Sequence, residues 1–342
     1  MTDHETSRRL RPFGTTIFSE MTALAQRHDA INLAQGFPDF DGPAELLTAA
    51  IEALKSGANQ YSRSRGLPRL TAAIAGRHER LYGLRYDPEN EVAVTCGATE
   101  GIAAALLGLL DPGDEVIFFE PFYDSYPACA AMAGATPRAA TLRFPRFEID
   151  WGELEGLFNE RTRLLILNTP HNPTGKVFTR EEMGRIAGLA IEHDVIVLSD
   201  EVYEHITFDG AEHVPMASIS GMRERTLTLS SSGKTFSFTG WKIGWATGPA
   251  SLVAALQAAH QFLTFCAATP LQLAVAEALE TLPDAYYRRL RSEYEERRDL
   301  LLDALAAAGF EPAVPRGTYF ILADFRRLSE GDDRAFAVEL AE

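Results

Sequence analysis

Five short runs of apolar residues alternate with longer stretches of mixed polarity along the middle of the chain. Each run is apolar almost without interruption, which predicts a strand covered on both faces, as in a mostly parallel sheet. The stretches between the runs predict the helices that cover this sheet. The runs are VAVTC (92–96), EVIFFE (115–120), RLLILNT (163–169), VIVLSD (195–200) and TLTLS (226–230).

The predicted helices carry ordinary start and stop signals. Pro43 precedes one helix, and Pro68 and Gly83 bound the next. Thr179 and Glu182 have the spacing of a capping box. Local sequence therefore supports the alternation of strands and helices that the apolar runs indicate.

This alternation predicts an α/β fold, with a large three-layer α/β/α domain around a mostly parallel sheet. We assign residues 40–280 to that domain. A long amphipathic helix near 286–308 and a last strand at 318–325 predict a smaller α+β domain, formed by residues 1–39 and 281–342.

Composition narrows the classes of function. The 342 residues are 46% apolar, and 48 acidic residues against 32 basic ones leave a net charge of −16. An acidic surface repels phosphates, so we expect neither nucleic acid nor a membrane as partner. The three cysteines have neither disulfide nor zinc spacing, so no metal site is predicted. No signal peptide or membrane-spanning run is visible, and we expect a cytoplasmic protein.

The segment SSSGKTFSFTGWK (230–242) is the strongest chemical signal, because Lys234 follows a predicted strand among small residues. Ser-Gly-Lys-Thr also occurs in nucleotide-binding phosphate loops. That motif needs a glycine five positions before Gly233, where this chain has Thr228. A nucleotidase is therefore excluded.

Three other segments end or follow predicted strands. NTPHNPTG (168–175) is a rigid turn that contains Asn172, although a turn alone can be purely structural. SDEVYEHI places Asp200 at a strand end and Tyr203 just after it, where α/β proteins bind ligands; a helix cap is the alternative for Asp200. TCGATEG (95–101) leads into a helix whose start could bind a phosphate.

The motifs GATEG, PFYDSY, NTPHNPTG, SDEVY and SSSGKTFSFTGWK, in this order, resemble the class I aminotransferases, which have fold type I and depend on pyridoxal 5′-phosphate (PLP). The resemblance extends over nearly the whole chain, through TTIFSEM, INLAQGFPDFDGP, GANQYSRSRGLPRL, HQFLTF and RGTYFIL. Within the family, these motifs look most like those of the methionine, kynurenine and glutamine aminotransferases.

The resemblance implies a role for each residue around the cofactor ring. Lys234 would bind PLP covalently and then move the substrate α-proton. Asp200 would face the pyridine nitrogen and keep it protonated. Asn172 and Tyr203 would form hydrogen bonds with the ring oxygen, and Tyr123 would stack on the ring.

The resemblance also implies a phosphate site and an oligomeric state. Ala98, Thr99, Ser231 and Lys242 would hold the phosphate. Tyr61 would reach the phosphate of a neighbouring subunit, which predicts an obligate homodimer with a shared active site.

The expected substrates are an amino acid and a 2-oxo acid. Gly36 and Asn172 match family positions that contact the substrate. Residues 261–287 contain no Lys or Arg, whereas Phe262 and Phe265 are present. We therefore expect an apolar or aromatic substrate side chain, with two core phenylalanines as the structural alternative.

The chain departs from the family pattern at its end. Family members usually continue for a few dozen residues beyond the position of Glu342, and that tail carries an arginine that binds the substrate carboxylate. We therefore expect part of the small domain to be missing here. Two alternatives to an aminotransferase remain open: a β-lyase that uses the same lysine, and a PLP-binding protein without catalytic activity.

Overall fold

The protein is described by a computed structural model that covers residues 6–34 and 36–342. A central sheet carries helices on both faces. The α-helices of the described residues are α1 (Ile17–His28), α2 (Ala44–Lys55), α3 (Pro68–Tyr82), α4 (Gly97–Leu109), α5 (Ser125–Ala133), α6 (Trp151–Leu157), α7 (Arg180–Glu192), α8 (Ser232–Thr235), α9 (Ala250–Leu263), α10 (Thr269–Thr281), α11 (Asp284–Ala307) and α12 (Asp333–Ala341). The strands are β1 (Val92–Thr95), β2 (Glu115–Glu120), β3 (Thr136–Arg143), β4 (Glu148–Ile149), β5 (Thr162–Asn168), β6 (Ile196–Asp200), β7 (Thr226–Ser231), β8 (Gly244–Thr247), β9 (Glu311–Pro312) and β10 (Ala323–Asp324).

The main sheet of the described residues has eight strands in the order β1-β8-β7-β6-β5-β2-β3-β4. Strands β3, β2, β5, β6 and β7 are parallel, whereas β8 runs antiparallel to both β7 and β1. The prediction of a mostly parallel sheet is confirmed, and all five apolar runs form its strands. Strands β3, β4 and β8 were not predicted, because none of them is a continuous apolar run of the same kind.

Side chains from successive strand positions pack into different layers. Phe118 of β2 packs with residues of α4, α5 and α9. Its neighbours Ile117 and Phe119 pack on the opposite face with residues of α6 and α7. Because strand side chains alternate between faces, this pattern confirms the three-layer arrangement.

The predicted helix signals are present in the structure. Thr179 and Glu182 form both hydrogen bonds of a capping box at the start of α7. Pro68 begins α3, and Gly83 ends it with a left-handed backbone conformation. These local signals act as expected because they satisfy backbone groups that a helix end leaves free.

The predicted strand at 318–325 is wrong for most of its length. Only Ala323–Asp324 pairs with another strand, Glu311–Pro312. Thr318 has a φ of 64°, which breaks an extended backbone, and its N–H group donates to the carbonyl oxygen of Ile206 instead. This segment is thereby directed toward the ends of the central strands.

The two ends of the described chain lie close together. The carboxylate of Glu20 in α1 accepts a hydrogen bond from Arg334 in α12, at 2.5 Å. This contact agrees with a smaller unit built from both ends, and the division at residues 39 and 280 stays a prediction. Among the residues the structure describes, no helix combines the length and the apolarity needed to cross a membrane.

Candidate active site

A cavity of about 400 Å³ opens at the carboxyl edge of the central sheet. Asn168, Asp200 and Ser231 are the last residues of the adjacent parallel strands β5, β6 and β7, so all three reach this edge. The volume falls within the usual range for small-molecule sites. The residues to which the family resemblance gave a role all line the cavity, except Tyr61: Gly36, Ala98, Thr99, Tyr123, Asn172, Asp200, Tyr203, Ser231, Lys234 and Lys242.

One end of the cavity is suited to an anion. Helix α4 begins there at Gly97, and the side chain of its N-cap residue, Cys96, forms no capping hydrogen bond with the first turn. A Cβ atom on Gly97 would lie 3.2 Å from Nζ of Lys242, so this ammonium group sits beside the helix start. A Cβ atom on Gly244 would lie 2.8 Å from the backbone nitrogen of Ala98, so β8 approaches the helix closely only because it has glycine there. The positive helix end and Lys242 together favour a phosphate group.

Asp200 lies deep in the cavity and is only 4% exposed. Its Oδ2 accepts a hydrogen bond from the hydroxyl of Tyr126 at 2.8 Å, and Oδ1 accepts one from the N–H of Val202 at 3.4 Å. Burial raises the pKa of Asp200 to about 6, although these two hydrogen bonds act to lower it. Both donors are uncharged, so the carboxylate is suited to a cationic group of a ligand, such as a protonated ring nitrogen.

Lys234 faces the same cavity from α8. Burial lowers the pKa of its amine to about 8; nearby Lys242 lowers it further, and Asp200 acts to raise it. A larger fraction of the amine is therefore unprotonated near neutral pH than in an exposed lysine, which favours its action as a nucleophile. Nζ contacts the hydroxyl of Tyr319 and lies 5.5 Å from the centre of the Tyr203 ring.

Asparagines and tyrosines complete the cavity wall. Asn168 donates from Nδ2 to the carbonyl oxygen of Asp200 at 2.9 Å, and its Oδ1 accepts from the N–H of Asn172 at 2.6 Å. The hydroxyl groups of Thr99 and Tyr123 are 3.2 Å apart. The loop that carries Asn172 is thus tied directly to the strand that carries Asp200.

The remaining wall is largely apolar. Phe18, Phe37, Val202 and Phe320 contribute to it. In the described chain the only cations that line the cavity are the two lysines already named, and no arginine does so. A second carboxylate on a substrate side chain would therefore find no dedicated partner here.

The expectation that Phe262 and Phe265 form the substrate pocket is wrong for a single chain, and so is the alternative that they belong to the core. Phe262 is 85% exposed and Phe265 is 47% exposed, and neither lines the cavity. Tyr61 is also 85% exposed, and its ring lies 5.4 Å from that of Phe265. Its predicted role in a neighbouring subunit stays a prediction.

Sequence reasoning missed several residues that the structure brings to the site. Tyr126 lies in PFYDSY and Tyr319 in RGTYFIL, two motifs that carried the family resemblance but gave these tyrosines no role. Asn168 and Phe18 were also passed over. Each of these residues lies in a motif that the sequence analysis had singled out, and this was the signal available. The residues that they contact are distant in sequence, so the sequence did not show the contacts.

Comparison with known proteins agrees with this geometry. The family model for aminotransferase class I and II matches residues 28–342. A probable N-succinyldiaminopimelate aminotransferase of Mycobacterium tuberculosis is 50% identical over 98% of this chain and 84% of its own length. The methionine aminotransferase of Escherichia coli is 44% identical over 98% of this chain and 86% of its own length. The solved structure of the M. tuberculosis N-succinyldiaminopimelate aminotransferase superposes with a TM-score of 0.95, at 50% identity, over 97% of this chain and 87% of that one.

Proposed function

The chain belongs to the class I and II aminotransferases, and from this premise we propose that it binds PLP through Lys234 and transfers the amino group of methionine, or of another apolar or aromatic amino acid, to a 2-oxo acid. Kynurenine and glutamine fall within the proposed range of donors. The reaction would run as two half-reactions with ping-pong kinetics.

The observation that carries this proposal is the placement of Lys234 and Asp200 in one cavity. A buried carboxylate whose two hydrogen-bond donors are uncharged and a lysine with a lowered pKa are the two groups that PLP chemistry requires of a protein. When bound, PLP supplies an electron sink that stabilises negative charge at the substrate α-carbon.

The remaining cavity residues would hold the cofactor. The start of α4, at Ala98 and Thr99, would bind the phosphate with Ser231 and Lys242. Asp200 would pair with the ring nitrogen. The residues that would orient the ring are Asn172, Tyr203 and Tyr123.

Lys234 would also move the α-proton of the substrate. Once its amine is free, Nζ would take the proton from the substrate α-carbon, and the ammonium group so formed would release that proton again within the same cavity. A pKa near 8 suits this task, because the group must accept and release a proton near neutral pH. Gly36 would help to position the substrate carboxylate.

The substrate range follows from the wall of the cavity. Phe18, Phe37 and Phe320 favour an apolar side chain, and no arginine of the described chain lines the cavity to pair with a side-chain carboxylate. Aspartate would therefore be a poor donor.

A second candidate for the amino-group donor is an amino acid with a longer, polar side chain, of the N-succinyldiaminopimelate type. A groove of about 500 Å³ shares Phe18 and Tyr123 with the cavity and is lined by Ser19 and Gln26 of α1. These polar groups could contact a long side chain. Asp124 also lines the groove and would repel an anionic one, so we favour the apolar donors.

We further propose a homodimer with a shared active site. Tyr61 and Phe265 form an exposed aromatic pair and Phe262 is exposed as well, and exposed apolar residues of this kind are common at protein interfaces. A second copy of the chain is the partner that the predicted role of Tyr61 requires.

An absorption spectrum tests the core of the proposal. Protein purified with PLP should have a band above about 400 nm that sodium borohydride abolishes and that Lys234→Ala lacks. Lys55→Ala, which removes an exposed lysine, is the matched control and should keep the band. Methionine should shift the band to shorter wavelength.

The other outcomes separate the alternatives. A wild-type protein without the band would contradict the cofactor proposal. A band that responds to none of a panel of amino acids would favour a non-catalytic PLP-binding protein. Release of pyruvate and ammonia from a cysteine conjugate, without transamination, would favour a β-lyase.

A further inference from the structure

Tyr319 contacts the reacting atom of the proposed mechanism directly. Its hydroxyl meets Nζ of Lys234 and donates a hydrogen bond to the carbonyl oxygen of Gly36 at 2.7 Å. The ring also lies 5.3 Å from that of Tyr203, nearly perpendicular to it. The hydroxyl thus stands between the lysine and the segment predicted to contact the substrate carboxylate.

The backbone holds this tyrosine in place. The N–H of Gly317 donates to the carbonyl oxygen of Gly175 at 2.9 Å, and the N–H of Thr318 donates to that of Ile206 at 3.0 Å. Both acceptors belong to loops that follow central strands. Tyr319 is therefore fixed to the same frame that carries the other cavity residues.

The close approach also depends on Gly36. A Cβ atom at this position would lie 2.3 Å from Cε2 of Tyr319, so any other residue would displace the ring. The hydrogen bond between the two residues therefore requires both a glycine and a tyrosine.

The direction of the hydrogen bonds follows from their chemistry. A carbonyl oxygen only accepts, so the single proton of the Tyr319 hydroxyl is committed to Gly36. Toward Lys234 the hydroxyl presents only lone pairs, and the amine must donate an N–H to it. Burial raises the pKa of Tyr319, so the hydroxyl keeps its proton throughout the working pH range.

We propose that Tyr319 is a catalytic residue that holds the free amine of Lys234 through this N–H hydrogen bond and links it to Gly36. With one N–H directed at Tyr319, the amine cannot rotate freely, and its lone pair and second N–H are restricted to the two remaining positions on nitrogen. This inference rests on the proposed function of Lys234.

Two consequences can be measured. An oxygen that only accepts a hydrogen bond stabilises the ammonium form of Lys234 more than the amine, so its removal should lower the lysine pKa. Loss of the contact should also slow the removal of the substrate α-proton, because the base is no longer oriented.

The test compares Tyr319→Phe with Tyr294→Phe. Tyr294 lies in the same aromatic cluster, with its ring 5.7 Å from that of Tyr319, but its hydroxyl faces Ser237. Each variant removes one oxygen and keeps the ring, so we expect both to melt within a few degrees of wild type, by circular dichroism.

The first readout uses cofactor-free protein. The rate at which the band above about 400 nm grows after PLP is added reports the unprotonated fraction of Lys234, so it is measured against pH. We expect the midpoint to move to lower pH by about half a unit or more in Tyr319→Phe. Tyr294→Phe should keep the wild-type midpoint.

The second readout is a single half-reaction with methionine. We expect Tyr319→Phe to slow it about tenfold or more, with an increased kinetic isotope effect for α-deuterated methionine. A wild-type midpoint together with a rate within about twofold of wild type would overturn the inference. If wild-type protein forms no band above about 400 nm, the proposed function itself fails. Failure of the proposed function is thereby distinguished from failure of the inference about Tyr319.

Discussion

The hydroxyl of Tyr126 lies 2.8 Å from Oδ2 of Asp200, and both side chains are buried beneath the cavity. The two residues come from different elements, α5 and the end of β6. The hydrogen bond stabilises the ionised carboxylate against the cost of burial, which raises its pKa to about 6. Tyr126 therefore helps to keep the charge that the proposed cofactor needs.

Tyr126→Phe should raise the pKa of Asp200 further. The carboxylate is ionised above its pKa, so the variant should lose activity at and below neutral pH and recover as the pH rises. We expect the acid limb of the kcat/KM profile to move up by about one unit. Tyr86→Phe, a buried tyrosine outside the cavity, should leave the profile unchanged. A Tyr126→Phe profile that superposes on wild type would contradict this role.

Gly244→Ala should weaken PLP binding. The added Cβ would lie 2.6 Å from the carbonyl carbon of Gly97, so β8 or the start of α4 must shift. Overpacking of this kind costs roughly 1–3 kcal/mol, and a cost of this size that falls on the PLP-bound form corresponds to a loss of about fivefold to 150-fold in affinity. The measurement is a PLP titration of cofactor-free protein. Gly184→Ala in α7, whose Cβ would meet nothing within 4 Å and which does not line the cavity, should bind PLP as wild type does.

Phe18→Arg should change the preferred donor. Wild type should use methionine and phenylalanine better than aspartate or glutamate, because a dicarboxylic side chain lacks a partner. A guanidinium group in the wall of the cavity should raise kcat/KM for glutamate relative to methionine by about tenfold. Leu300→Arg adds the same charge at a position that is 73% exposed, and should leave the ratio unchanged. Wild-type preference for aspartate would refute the proposed substrate range.

Mixed dimers test whether the active site is shared. Tyr61→Ala should bind PLP weakly, and Lys234→Ala should be inactive. In a hybrid of the two variants, the subunit with intact Lys234 receives an intact Tyr61 only if this residue acts across the interface. We therefore expect the hybrid to regain tight PLP binding and about half of the wild-type activity per dimer. Activity no higher than that of Tyr61→Ala alone would place Tyr61 outside the partner's site.

His171 should make the protein sensitive to acid. Burial lowers its pKa from 6.5 to about 3, and Lys176 contributes in the same direction. Between these values the unfolded chain binds a proton that the folded chain does not, so stability falls as the pH decreases. From pH 6.5 to 4.5 this one group should account for roughly 2 kcal/mol. His171→Gln should lose less stability over this interval in urea unfolding, and an equal loss would contradict the assignment.

The sequence alone determined the framework of the fold. The runs that became β2, β5 and β6 are buried on both faces, so their apolar character is continuous and visible without a partner. Helix ends such as Thr179 with Glu182 are likewise local, because the groups that satisfy them lie within one turn. Asp200 ends one such strand and Lys234 lies just beyond another, which made both residues candidates, and the family resemblance supplied their expected roles.

Only the tertiary structure decided which distant residues meet. Strand β3 has mixed polarity, and most of its residues are only partly buried or exposed, so no continuous apolar run marked it. Phe262 and Phe265 have the composition of core residues, yet the surrounding helices leave them at the surface. The hydroxyl of Tyr319 meets a residue 283 positions away, across two loops that exist only once the sheet has formed. Such contacts depend on the path of the backbone in three dimensions, because no local preference of either residue specifies its partner.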